Sequence, residues 1–288
     1  MSNESTQWQK NFYVGGVHLL AQQKGSRLIN TVRNDGKVVG ERVFFDRLGA
    51  IEAQEKNVRF GDTPLAPDNH SRRCGILREF NWAKLTDHAE TLKSGMDPTK
   101  MYQAAASHAM GRRMDSLIID AANGTAYTGK NGTTAVQLPA SQKIAVGAAG
   151  LTIAKLIEAR EKLDMAEIDP DAERFCVVTA KQISNLLNTT EVKSEDYNEV
   201  KGLVQGKVET FMGFKFIRTE RLTSDASGNR LILCYAKPAL GLLIGRGPVH
   251  EQSVRGDKSN AVQIYVEMTM GAARIEDEGL VQIACSEA

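Results

Sequence analysis

DPTKMYQAAASHAMGRRMDSLIIDAANG, from Asp97 to Gly124, is the stretch on which the fold turns. Asp97 is a favourable N-cap, and Pro98 falls at the first helical position, where its missing N–H costs nothing. Ala106, Met110, Met114, Leu117, Ile118 and Ala121 recur at helical spacing. Asn123-Gly124 then supplies a stop. The spacing predicts one continuous helix within 97–123, about 25 residues and so roughly 37 Å long at about 1.5 Å per residue. That is about twice an ordinary helix, which suits a structural spine. Arg112-Arg113 are a pair that could contact DNA, but they read first as its solvated face, or as partners of Asp115 and nearby acids.

Upstream, residues 41–86 read as a long hairpin. An extended limb begins at Val43–Phe45 and runs to about Phe60, and 61–69 is dense in turn formers. The return limb sets Ile76, Phe80 and Trp82 on one face. Charges of both signs line the pair, so it gains little by burial in its own subunit. Arg59, Asp62, Asp68, Arg72 and Arg73 are the expected inter-subunit contacts, each exposed ion pair being worth about 0–1 kcal/mol. Residues 1–40 look like an arm. Short apolar patches alternate with glycine and basic residues, so it is expected to be mobile or ordered on a neighbour.

Downstream, 124–150 is loop and weak strand. Thr152 caps a second helix, Phe175–Val178 is a buried strand, Thr179 caps a third helix and Ser194 starts a fourth. Strands are expected near 213–218 and 231–236, making a compact α/β unit at 151–250. Val262, Ile264, Val266, Met268 and Met270 alternate with polar residues. With Leu280–Cys285 they predict a closing antiparallel pair.

Net charge is +1 on 288 residues, with 42% hydrophobic and 25% charged residues. A dedicated nucleic-acid binder is disfavoured by so neutral a balance; self-packing is not. The four cysteines are far apart and read as reduced, in a cytosolic setting. No signal peptide or membrane span is expected. Gly124-Thr-Ala-Tyr-Thr-Gly129-Lys130 has the opening of a P-loop, but a helix precedes it and Asn131-Gly132 follows where a hydroxyl is required. The five histidines lack metal-pair spacing. Neither catalytic residues nor cofactor are expected. A soluble α/β enzyme would need a converging polar pocket that no motif names.

The order of parts, arm, long hairpin, spine helix, α/β unit and closing strands, resembles the Hong Kong 97-type major capsid proteins of tailed bacteriophages. Val58–Pro64 looks like the family's extended loop. Leu151–Leu156 with Lys162-Leu163-Asp164 looks like its first axial helix. Arg174–Gln182, Met212–Ile217 and Gly271–Arg274 also fit. The resemblance implies an α+β fold divided into an arm (1–40), an extended loop (41–86), a spine helix with peripheral domain (87–150), an axial domain (151–250) and C-terminal strands of the peripheral domain (251–288). It implies hexamers and pentamers of one subunit enclosing double-stranded DNA without sequence-specific binding. Scaffolding, portal and decoration proteins are the further partners. Assembly is expected in the host bacterial cytoplasm, with no membrane involved. An encapsulin-type nanocompartment shell, built on the same fold around a cargo enzyme, is the alternative.

Overall fold

A computed structural model of the chain describes residues 22–49, 51–53, 55, 69–87, 99–147, 149–188 and 210–287. The expected helix Thr99–Asn123 (α1) is continuous over its described length. Its cap at Asp97-Pro98 lies outside the described residues, as does the helix expected from Ser194. The stop is as expected, with Gly124 N–H donating to Asp120 O at 2.8 Å.

Helix α1 lies against a four-stranded sheet. That sheet runs β1 (Arg33–Lys37), β12 (Leu240–Arg255), β13 (Ala261–Arg274), β4 (Arg78–Thr86). Along β13, Ile264, Val266, Met268 and Met270 are buried while Tyr265, Glu267 and Thr269 are less so. The alternation therefore named the right face. Phe80 and Trp82 of β4 pack against the same core.

A six-stranded sheet runs β7 (Lys143–Ile144), β14 (Leu280–Cys285), β11 (Arg230–Ala236), β8 (Arg174–Val178), β10 (Phe214–Arg218), β9 (Thr210–Phe211). It is mixed: β8 runs parallel to β10 and antiparallel to β11. All five residues of β8 are buried, as a central strand covered on both faces requires. Helices Ile153–Met165 (α2) and Ala180–Asn188 (α3) belong to this half. Their expected caps form: Thr152 Oγ1 accepts from Lys155 N, and Thr179 Oγ1 from Gln182 N, both at 3.4 Å. Lys155, almost fully buried, donates from Nζ to the carbonyls of Val146, Ala149, Gly150 and Ala284 at 2.7–3.0 Å. Its charge is met by oxygen dipoles, and it ties β14 to the helix. One apolar cluster runs through both halves, from Met110 and Ile118 to Val177, Cys234 and Ile283.

The strand pairings correct the sequence reading in three places. β13 and β14 do not form a closing hairpin: β13 pairs with β12 and β4, and β14 with β11 and β7. The turn at 276–279 hands the chain from one sheet to the other. Period-2 alternation fixes which face is buried and leaves the partner open. The division at 250/251 consequently cuts through β12, and the last strand joins the six-stranded sheet. The hairpin at 41–86 is also shorter among the described residues. β2 (Arg42–Leu48) pairs with β3 (His70–Ile76), whereas β4 turns away to β13. A small sheet adds β5 (Ala126–Thr128) and β6 (Thr134–Val136) to that pair.

Candidate assembly surfaces

The arm is the largest correction. Its first 21 residues lie outside the described ones, but the stretch from Leu28 to Val32 belongs to its own subunit's core. Leu28 is 0% and Val32 2% exposed, and both join the main apolar cluster. The receiving device is Asp115 of α1, itself 0% exposed. Its carboxylate accepts from Gln23 Nε2 and Ser26 Oγ at 2.5 Å, and from the backbone amides of Arg27 and Leu28 at 3.1 Å. Converging amides around an anion make a stable concave site, and each charge-assisted bond exceeds a neutral one.

Gly111 stands one turn before Asp115, on the same helix face. A Cβ there would lie 2.4 Å from the Gly25 carbonyl carbon and 2.6 Å from Ser26 N. The missing side chain lets the arm backbone press against the helix. Thr31 and Tyr235 bring their hydroxyls to 2.7 Å, linking the arm to β11. Arg112 donates to Gln22 Oε1 at 2.7 Å and Arg113 lies 4.9 Å over the Phe80 ring. Neither arginine is a partner of Asp115.

Of the five expected contact residues, Arg59, Asp62 and Asp68 lie outside the described residues. Arg72 is half exposed, paired with Asp46 at 3.0 Å and stacked over Phe44 at 5.2 Å. Arg73 is only 4% exposed and contradicts its expected place at a subunit surface. It pairs with Asp277, and its Nε donates to Ile275 O at 3.3 Å. Arg47 donates to the same carbonyl at 2.7 Å. Arg274, with a fully buried side chain, pairs with Asp277 at 2.6 Å and caps α1 by donating to Ala122 O and Gly124 O. Arg47 and Arg73 thus bind the hairpin base to the 274–279 turn, and Arg274 fastens that turn to the end of α1. The unsatisfied carbonyls at a helix C-terminus and at a sheet crossing are what draw them there.

The surface left for contacts is elsewhere. Leu48 at the end of β2 and Ile51 just beyond it are 57% and 54% exposed, and Val39, in the link between β1 and β2, is 90% exposed. Ile157 and Met165 of α2 are likewise exposed apolar side chains.

The P-loop-like stretch is a hairpin, β5–turn–β6. Gly132 N–H donates to Gly129 O at 3.1 Å, and Lys130 is exposed at the turn. A phosphate cradle needs a helix N-terminus after the turn; a strand stands there. His18 and His88 lie outside the described residues. His70, His108 and His250 sit on separate elements. The described residues contain no group of three or more His, Cys, Asp or Glu side chains able to hold a metal ion, and no described helix is long and apolar enough to cross a membrane.

A long helix laid on one sheet, a mixed sheet beside it and a hairpin at the edge make up an α+β subunit of the Hong Kong 97-type capsid fold. The chain belongs to the phage capsid protein family, whose profile matches residues 5–287. Its structure is similar to the capsid of the cyanophage P-SCSP1u, at 15% identity and a TM-score of 0.75, over 96% of this chain and 93% of that one. It is also similar to the capsid of Ralstonia phage GP4, at 11% identity and 0.74, over 96% and 95%. For Mycobacterium phage Che8 the values are 15% and 0.69, over 95% and 97%. At these identities the likeness is one of fold. No curated protein sequence matches the chain.

Proposed function

We propose that the chain is the major capsid protein of a tailed phage, which self-assembles as hexamers and pentamers into the icosahedral head around double-stranded DNA. The full-length family match carries this reading. The spine helix and the four-stranded sheet form the peripheral part. The six-stranded sheet with α2 and α3 forms the axial part, around the capsomer axes. The pair β2–β3 belongs to the extended loop, which contacts a neighbouring copy. Exposed apolar side chains on and beside it, Leu48, Ile51 and Val39, support that role, because an apolar patch gains by being covered. The role is architectural, with neither catalytic residue nor cofactor. Scaffolding, portal and decoration proteins are its further partners, and assembly takes place in the host bacterial cytoplasm.

Negative-stain microscopy of the expressed protein tests the reading. Closed shells or capsomer rings are expected. Replacing residues 62–70 by a short Gly-Ser bridge should leave the circular dichroism spectrum nearly unchanged while closed shells are lost. Normal shells from that variant would remove the loop's role. Shells loaded with a cargo enzyme would point to a nanocompartment instead.

A further inference from the structure

Cys176 of β8 and Cys234 of β11 face each other in register, both 0% exposed, with their sulfurs 3.3 Å apart. The adjoining backbone says what kind of pair this is. Lys237 N–H donates to Glu173 O at 3.0 Å, which makes those two a hydrogen-bonded pair. Alternation along the ladder then makes Tyr235 and Phe175 a bonded pair and Cys234 and Cys176 a non-bonded one. Non-bonded antiparallel partners hold their Cα atoms about 4.5 Å apart, inside the span of about 4.4–6.8 Å that a disulfide bridges. The other two cysteines lack this arrangement: Cys285 faces Arg230 and Cys74 faces Phe44.

We propose that Cys176 and Cys234 are a covalent modification site, folding as thiols and closing to a cross-strand disulfide within one subunit when the particle meets a small peroxide. The timing rests on the capsid reading above: a reducing cytosol keeps both thiols during assembly, and the released particle meets an oxidising exterior. One thiolate attacks a peroxide oxygen; the O–O bond breaks, leaving a sulfenic acid and water. The second sulfur then displaces the sulfenic oxygen as water, and the S–S bond forms. Two thiols give up two electrons and two protons, and one peroxide becomes two waters. Burial pushes the Cys176 thiol well above its ordinary value, so the thiolate is scarce and the reaction is slow. Only a small oxidant reaches it. The bond closes the chain between β8 and β11 into a loop and restricts the unfolded state.

The test is peptide mapping of the purified full-length chain, before and after hydrogen peroxide, with free thiols trapped by N-ethylmaleimide. Thiols titrated after denaturation should fall from four to two, with a single bridged peptide joining Cys176 to Cys234. The melting midpoint of the oxidised subunit should rise by about 5 °C or more. Cys234→Val and Cys176→Ala should each abolish both changes; the wild-type mapping stands even where a variant folds poorly. Four free thiols after prolonged peroxide, a sulfinic acid at either position without a bridge, or a bridge through Cys285 or Cys74 would overturn the proposal. Shells with four free thiols strike the disulfide alone, whereas a bridge in a protein that never forms shells strikes the capsid reading alone.

Discussion

The arm at 22–37 and the hairpin base at 42–48 with 70–76 are the two segments whose sequences promise least core, and the fold uses them differently. The arm puts its apolar side chains, Leu28 and Val32, into the main core and satisfies its backbone amides on the buried Asp115. The hairpin base keeps Leu48 and Ile51 outside and is held by arginines reaching inward to carbonyls and Asp277. Burial is therefore not a property of a segment's own composition. It depends on whether the rest of the chain offers a matching receptor: a carboxylate and a side-chain-free helix face in one case, orphaned carbonyls in the other.

The largest expected effect follows from the arm's receptor. Asp115→Ala strands buried donors at Arg27 and Leu28 and should cost about 3 kcal/mol or more, read by urea denaturation of the isolated subunit. Proteolysis within 22–32 should quicken in parallel. An unchanged midpoint would put the arm on the same loose footing as the hairpin. Gly111→Ala comes next. Alanine favours an isolated helix by about 1 kcal/mol, yet here it should destabilise by about 1–3 kcal/mol, because the arm backbone occupies the space a Cβ needs. A stabilised variant would mean that the arm does not press on the helix.

Arg73→Leu should cost less, about 1–2 kcal/mol, since Asp277 keeps its pair with Arg274. A loss as large as that of Asp115→Ala would show that the hairpin base, too, is core. Smallest is Arg72→Ala. Its pair with Asp46 is open to solvent, and the change should stay within about 0.5 kcal/mol in the same denaturation series.

Much was legible in the sequence because it is locally encoded. The spine helix follows from a stop signal and an apolar stripe. The caps at Thr152 and Thr179 follow from side chains that reach amides three residues on. β8 follows from an unbroken apolar run, and the inward face of β13 from alternation. Gly111 is a readable signal of another kind: a glycine inside a long helix marks a close approach of something, although not of what. Nothing local announced Asp115, which sits among ordinary helix residues.

What the sequence by itself determined was therefore the spine helix, helices α2 and α3, strands β8, β10, β11, β13 and β14, the buried face of β13 and, through the collinear order of its motifs, the capsid family. The long strand β12 and the short β1 beside it went without a local signal. Only the tertiary structure decided that β14 crosses to the six-stranded sheet, that the arm completes its own subunit's core, and that Arg73 points inward. Helix stripes and strand alternation arise from repeats of about 3.6 and 2 residues and need no distant partner. Strand pairing, and the matching of a buried charge to its acceptors, join residues such as Leu28 and Asp115, or Arg73 and Asp277. They are far apart along the chain, so the burial of each depends on surroundings that exist only once the other has folded into place.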